Sequence, residues 1–113
     1  MTDREGVRAR FRAAVNMSAA EIERWLETEE SRKAGLIRPG ETESVGRQAG
    51  RETARILRLA DEELDEADYR HMRRVAGFVA RLGAQEPANT VTSRWRYALM
   101  NWGHDPLRAL TRS

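Results

Sequence analysis

The fold class follows from one segment, Asp65-Glu-Ala-Asp-Tyr-Arg-His-Met-Arg-Arg-Val-Ala-Gly-Phe-Val-Ala-Arg-Leu82. Its apolar side chains recur at helical spacing, so they line one face of a helix. Asp65 can cap this helix, and the acids that follow suit the positive end of the helix dipole. The segment therefore predicts an amphipathic helix whose core-facing side chains are Met72, Val75, Ala76, Val79 and Leu82.

The rest of the chain has the same periodicity, and no segment shows the period-two alternation of a strand. Ser18-Ala-Ala-Glu21 has the spacing of a capping box, and Ser44 and either Thr92 or Ser93 are candidate caps of later helices. Gly103 is a candidate helix stop. We therefore predict an all-α fold, a compact bundle of about five helices near residues 3–15, 18–28, 44–60, 65–82 and 92–103, with a loop at Gly35, Pro39 and Gly40 and a short last turn at Asp105-Pro106.

Length and composition indicate one domain. The chain has 113 residues, of which 40% are hydrophobic and 34% charged, a balance that suits thin helices with one buried stripe each. We expect a single helical domain over residues 1–113, with frayed ends at 1–6 and 109–113. No apolar run approaches the roughly 20 residues that span a bilayer, and no secretory signal precedes the first helix, so we expect a cytoplasmic protein without a membrane partner.

The residue types needed for most catalytic and metal centres are scarce. The chain has no cysteine and only two histidines, His71 and His104, which excludes disulfides, thiolate metal sites and thiol nucleophiles. We predict no metal, no cofactor and no enzymatic activity. His104 beside Asp105 is the one pair that suggests catalysis, but Gly103 to Pro106 also fits a helix stop followed by an Asp cap and a first-turn proline.

Arginine rows are the most suggestive functional feature. Nineteen of the 20 basic residues are arginine, and Lys33 is the single lysine. Arg47, Arg51, Arg55 and Arg58 recur at i, i+4, i+8 and i+11, which places them in one stripe that could follow a phosphate backbone. Gly46 and Gly50 lie beside the stripe and would let the helix approach another backbone closely, in protein or in nucleic acid. A second cluster on the next helix contains Arg70, Arg73, Arg74 and Arg81.

The densest motif, Arg94-Trp-Arg-Tyr-Ala-Leu-Met-Asn-Trp-Gly-His-Asp-Pro106, contains two tryptophans two helical turns apart. Trp95 and Trp102 therefore share one face, which favours an aromatic core anchor. The alternative is a base-stacking surface flanked by arginines.

The leading functional prediction is a small accessory protein that contacts the phosphate backbone of double-stranded DNA with little base specificity, through Arg47, Arg51, Arg55, Arg58, Arg73 and Arg74. The alternative is a structural or protein-interaction module without nucleic-acid binding, whose arginines pair with an acidic partner or with the Glu-rich second helix. The two predictions differ in the contacts that they imply for these arginines. If carboxylates of the same chain engage Arg47, Arg51 and Arg55, phosphate binding loses its main support.

Four motifs also resemble those of a known family. They are Glu21-Ile-Glu-Arg-Trp-Leu-Glu-Thr-Glu-Glu-Ser31; Glu43-Ser-Val-Gly46 with Gly50-Arg51 and Ile56-Leu57; Asp68-Tyr-Arg-His-Met-Arg-Arg-Val75; and Arg94-Trp-Arg-Tyr97 running into Asn101-Trp-Gly-His-Asp-Pro106. On these motifs, roughly residues 10 to 108 resemble the small bacterial and fungal proteins known as domain of unknown function 3140. Some members are labelled DNA-binding, which implies a nucleic-acid partner but no particular site residues. Members often have a lysine-rich stretch after the second helix, where this chain has only Arg32, Lys33 and Arg38.

Overall fold

Seven α-helices and one 3-10 turn make up the structure, a computed structural model that describes residues 3–110 and the side chains of residues 3–108. No strand occurs in this range, so the all-α prediction is confirmed. The elements are α1 Arg4–Ala14, α2 Ala19–Leu26, α3 Glu29–Lys33, α4 Val45–Leu57, the 3-10 turn Asp61–Glu63, α5 Glu66–Gly83, α6 Arg94–Asn101 and α7 Pro106–Leu110.

The number of helices exceeds the predicted five because two short segments form helices of their own. Thr28 accepts a hydrogen bond from the Ser31 backbone N–H and so starts α3 where the second helix was expected to end. The Asp105 carboxylate likewise accepts from the Leu107 N–H at 3.0 Å and caps α7. The helix predicted to reach about residue 60 ends earlier, at Leu57.

The predicted caps are confirmed. Ser18 and Asp65 each form a complete capping box, and Ser44 and Ser93 each accept a backbone N–H three residues on. Asp3 caps α1, and residues 3–6, where fraying was expected, form its cap and first turn. Residues 1–2 and 111–113, where fraying was also expected, lie outside the described residues.

The core lies where the apolar faces of the longer helices meet. α1 packs along α5 and α2 along α4, while α6 contacts α2, α3, α4 and α5. The side chains in the core that are no more than 2% exposed are Phe11, Ile22, Leu26, Ala54, Ile56, Tyr69, Met72, Val75 and Leu99. Full burial of each large side chain contributes about 1.5–3 kcal/mol, which makes these contacts the main source of stability. Between residues 3 and 110, no helix is both long and apolar enough to cross a membrane.

Glycines allow α4 to lie against the carboxyl end of α6. A Cβ atom at Gly46 would lie 2.9 Å from Trp102 Nε1, and one at Gly50 would lie 2.2 Å from the Asn101 carbonyl oxygen. Gly103 then ends α6 with a φ of +98°, and the N–H groups of Gly103 and His104 donate to the Met100 and Leu99 carbonyls. The predicted helix stop at Gly103 is therefore confirmed. The close backbone approach suggested by the two glycines is made at Gly50, to the protein's own backbone, while Gly46 faces the side chain of Trp102.

Candidate functional site

The exposed arginines of α4 are engaged by carboxylates of the same chain. Arg51 holds Glu43 in a fork, with Nε and Nη2 donating to Oε2 at 2.9 and 2.6 Å. Arg55 donates to Glu52 at 2.5 Å and to Asp68 of α5. Arg58, the residue that caps the end of α4, forms a fork with Glu23 of α2.

Arg47 is buried, with 8% of its surface exposed. Its guanidinium donates to the Leu26 carbonyl at 2.5 Å and to Ser31 Oγ at 3.2 Å, and it lies 3.2 Å from Glu43 Oε2. Ser31 Oγ in turn donates to Asn101 Oδ1 at 2.6 Å. Burial lowers the pKa of Arg47, and the carboxylate of Glu43 opposes this effect. Arg47 therefore joins α2, α3, α4 and α6 and does not lie on the surface.

The intrachain ion pairs that were expected to distinguish the two functional predictions are therefore present on α4. Arg47, Arg51 and Arg55 each have a carboxylate partner within the chain. The partners come mainly from the loop before α4, from α4 itself and from α5, whereas the acidic α2 supplies Glu23 to Arg58. Paired arginines lower the pKa values of the carboxyl groups of Glu43, Glu52 and Glu23. The stripe predicted to follow phosphates is engaged in holding helices together.

The arginines on the outer face of α5 differ from those of α4. Arg70, Arg73, Arg74 and Arg81 are exposed, and within residues 3–108 none of them pairs with a carboxylate. Their spacing places them on one side of the helix. The sequence has no acid from residue 69 to residue 85, so the carboxylate that α5 itself offers on this side is that of Glu66, in its first turn.

Gly77 lies at the centre of this face. A Cβ atom there would lie 3.0 Å from Arg81 Nη1, which shows that the Arg81 guanidinium folds back along the helix. Arg74 Cζ lies 5.1 Å from the centroid of the Trp102 ring, a cation–π contact that orients its guanidinium. Several guanidinium groups are therefore held close to one short length of α5.

Arg10 of α1 extends the same surface. It lines a groove between α1 and α5 together with Arg73 and Gly77, and it is exposed without a carboxylate partner among the described side chains. We name these five arginines the α5 basic face: Arg10, Arg70, Arg73, Arg74 and Arg81. Glu66 lies at one end of this face, where it pairs with Arg4 at 2.6 Å. That bond is the main cause of the lowered pKa of Glu66, and Arg73 and Arg70 contribute less.

The two histidines have structural contacts. His71 Nε2 lies 3.0 Å from Thr53 Oγ1 of α4, and burial lowers its pKa. His104 Nδ1 donates to the Ala14 carbonyl at 2.7 Å. Asp105 accepts from the Arg96 guanidinium at 3.2 Å and caps α7, so His104 and Asp105 have separate partners. Among the described side chains, no cluster of His, Asp and Glu could hold a metal ion.

The tryptophans mainly serve the core. Trp102 is 4% exposed and its ring stacks on Phe78 with 4.0 Å between centroids, which confirms the predicted core position. Trp95 is partly buried against the core and donates from Nε1 to the Leu82 carbonyl at 2.5 Å.

Of the six predicted phosphate contacts, only Arg73 and Arg74 lie on the α5 basic face. Arg70 and Arg81 belonged to the second arginine cluster in the sequence, while Arg10 was not predicted. The signal that could have ranked α5 above α4 is the acid-free interval from residue 69 to residue 85, because α4 and its preceding loop contain Glu43 and Glu52. Arg10 could not be found this way, since it comes from a distant helix.

Residues 10–100 match a family model described as a protein of unknown function, DUF3140, and the chain belongs to this family. The resemblance noted in the sequence is thereby confirmed. No curated protein and no solved structure matches the chain.

Proposed function

We propose that this DUF3140 protein binds the phosphate backbone of nucleic acid, with double-stranded DNA as its partner, through the α5 basic face. One observation carries the proposal: five exposed arginines lie together without carboxylate partners among the described side chains, whereas all four arginines of the α4 stripe are paired. Exposed arginines also occur at Arg24 and Arg32, but they stand among the glutamates of α2 and α3. The α5 face is therefore the surface best suited to an anionic polymer.

The dimensions of α5 suit a run of phosphates. Arg70 and Arg81 are separated by about 16 Å along the helix axis at a rise of about 1.5 Å per residue. One DNA strand presents roughly five phosphates over that axial length. Guanidinium groups can donate two parallel hydrogen bonds to each phosphate. α5 has no Asn or Gln to read adenine edges, so any base readout would fall to arginine at guanine, and we expect backbone contacts to dominate with little base specificity.

A fluorescence polarisation titration with a labelled DNA duplex, repeated at several salt concentrations, tests the proposal. Binding should weaken steeply with salt, with a log–log slope of about −0.9 for each phosphate contacted. The double variant Arg70→Gln, Arg73→Gln should bind at least tenfold more weakly and with a shallower slope. The charge-matched control is Arg24→Gln, Arg32→Gln, which removes two arginines elsewhere. No binding at low salt, or equal weakening in both double variants, would refute the proposal.

The second candidate is a protein-interaction module with an acidic partner. It is favoured by Leu36, which is 72% exposed and lines a cavity together with Arg74 and Arg81. A surface that combines apolar and basic groups fits a peptide of alternating leucine and glutamate. Such a peptide should bind more tightly than one with glutamine in place of glutamate, and equal binding of the two peptides would exclude this candidate.

A further inference from the structure

A cavity of about 330 Å³ lies between α4, α5, α6 and the loop that follows α3. The stacked rings of Phe78 and Trp102 form part of its lining, together with Leu36 and Val45. The exposed arginines Arg74 and Arg81 also line it. The volume lies at the lower end of the range for small-molecule sites.

Trp102 brings an unpartnered hydrogen-bond donor to this cavity. The other two indole N–H groups have acceptors, since Trp25 donates to Asn101 Oδ1 at 2.7 Å and Trp95 to the Leu82 carbonyl at 2.5 Å. Trp102 is 4% exposed, yet its Nε1 has no acceptor anywhere in the part of the chain that the structure describes. The N–H of a buried indole ring ordinarily has an acceptor, and one without an acceptor in the protein is left to water or to a ligand.

The Trp102 N–H is open to the cavity. No fully enclosed polar side-chain atom of the described residues lacks a partner, so the unpartnered Nε1 must reach open space. Trp102 lines the cavity, and Nε1 lies beside Gly46, which lines it too. A Cβ atom at position 46 would lie 2.9 Å from Nε1 and would occupy part of the space in front of the donor. Glycine at this position leaves that space for an acceptor.

The charged side chains around the cavity are all positively charged hydrogen-bond donors. Arg74 and Arg81 have no carboxylate partner among the described side chains, and no acidic residue lines the cavity. Arg74 Cζ lies 5.1 Å from the Trp102 ring centroid, so one carboxylate or phosphate group could accept from both residues. The complementary ligand is an anion with an apolar body.

We propose that this cavity binds a small organic anion. The apolar, preferably aromatic, body of the anion packs against Phe78, Leu36 and Val45. The carboxylate or phosphate group of the anion accepts hydrogen bonds from Trp102 Nε1, Arg74 and Arg81. This site goes beyond the proposed binding of DNA, although the two share Arg74 and Arg81. It requires no nucleic acid for its occupation.

Two-dimensional ¹H–¹⁵N NMR tests the site with 2-naphthoate as the probe and 2-naphthalenemethanol as its neutral counterpart. The chain has three tryptophans and so three indole N–H signals, and the Trp102→Phe variant assigns one of them. Naphthoate should shift the Trp102 signal and leave those of Trp25 and Trp95 in place. It should bind at least tenfold more tightly than the alcohol.

The Arg74→Gln, Arg81→Gln double variant should remove that tenfold preference, and Arg24→Gln should keep it. Both variants change exposed side chains, so circular dichroism should report an unchanged fold. An unmoved Trp102 signal, or equal affinity for the acid and the alcohol, would overturn the proposal. Because the titration contains no DNA, its failure is separate from a failure of the proposed function.

Discussion

Gly50 and Asn101 meet at a distance that only glycine allows, since a Cβ atom at position 50 would lie 2.2 Å from the Asn101 carbonyl oxygen. A glycine inside a helix costs about 1 kcal/mol relative to alanine. The crossing of α4 and α6 offsets this cost, because the contact brings Arg47 and Asn101 into one buried hydrogen-bonded network through Ser31. The network, and not an exposed surface, is what Gly50 serves.

Gly50→Ala should therefore destabilise the protein despite its better helix propensity. Overpacking of this kind costs about 1–3 kcal/mol, and the obstacle is backbone, which cannot rotate away. Gly83→Ala is the matched control, because a Cβ atom there would meet nothing within 4 Å. Urea unfolding of both variants measures the difference. If Gly50→Ala were as stable as Gly83→Ala, the close helix contact would be wrong.

Asn101→Ala should cost at least about 3 kcal/mol, because each buried donor or acceptor left without a partner costs about 1–3 kcal/mol. Asn101 is 0% exposed, accepts from Trp25 Nε1 and Ser31 Oγ, and donates to the Ser31 carbonyl at 3.2 Å. The control is Asn89→Ala, at an exposed position whose amide donates to Thr92 Oγ1 at 3.2 Å. That variant should stay within about 0.5 kcal/mol of the parent protein. Equal unfolding free energies for the two variants would contradict the network.

Acid should weaken the contact between α2 and α7. Arg108 and the capping-box N–H of Ser18 lower the pKa of Glu21 from 4.5 to about 2. A carboxyl group with a lowered pKa in the folded state stabilises fully above its unfolded value, and this stability is lost as the pH falls towards the folded value. Between pH 5 and pH 2.5, the melting temperature of Glu21→Gln should therefore fall less than that of the parent protein. Glu27→Gln, at an exposed acid of the same region, should follow the parent protein.

Protonation of His71 should destabilise the protein in a different pH range from that of Glu21. Burial lowers its pKa below the ordinary value of 6.5, so the unfolded chain takes up a proton more readily than the folded one. Stability should be unaffected by this group above about pH 6.5 and should decline as the pH falls below it. Melting temperatures at pH 7.5 and 5.5 would show a smaller decline in His71→Gln than in the parent protein. An identical decline in both would exclude His71 as the cause.

Local features of the structure were readable from short stretches of sequence. The caps at Ser18, Ser44, Asp65 and Ser93 were predictable because a capping side chain bonds to an N–H only three residues away. Gly103 was readable for the same reason, as a helix stop acts within one turn. The start of α3 at Thr28 uses the same chemistry but was missed, because five-residue helices show too little periodicity to reveal themselves.

The spacing of the arginines, in contrast, did not reveal which of them are available to bind a partner. Arg47 and Arg51 are one turn apart on α4, and nothing local distinguishes them. Arg47 is buried because Leu26 and Ser31, on two other helices, provide the acceptors around it. Arg58 finds its acid at Glu23, 35 residues away in the chain. Availability of a charge depends on such long-range partners.

Helical periodicity and capping thus determine the secondary structure of this protein, because both act within a few residues along the chain. The side of the molecule that carries unpaired charge is decided only when the helices pack, because an ion pair needs two groups within about 4 Å in space, whatever their separation in sequence. Packing also leaves Trp102 Nε1 without an acceptor among the described residues, places the Trp102 ring beside Arg74 and puts Arg81 in the lining of the same cavity. The two candidate binding sites of this chain are properties of its tertiary structure.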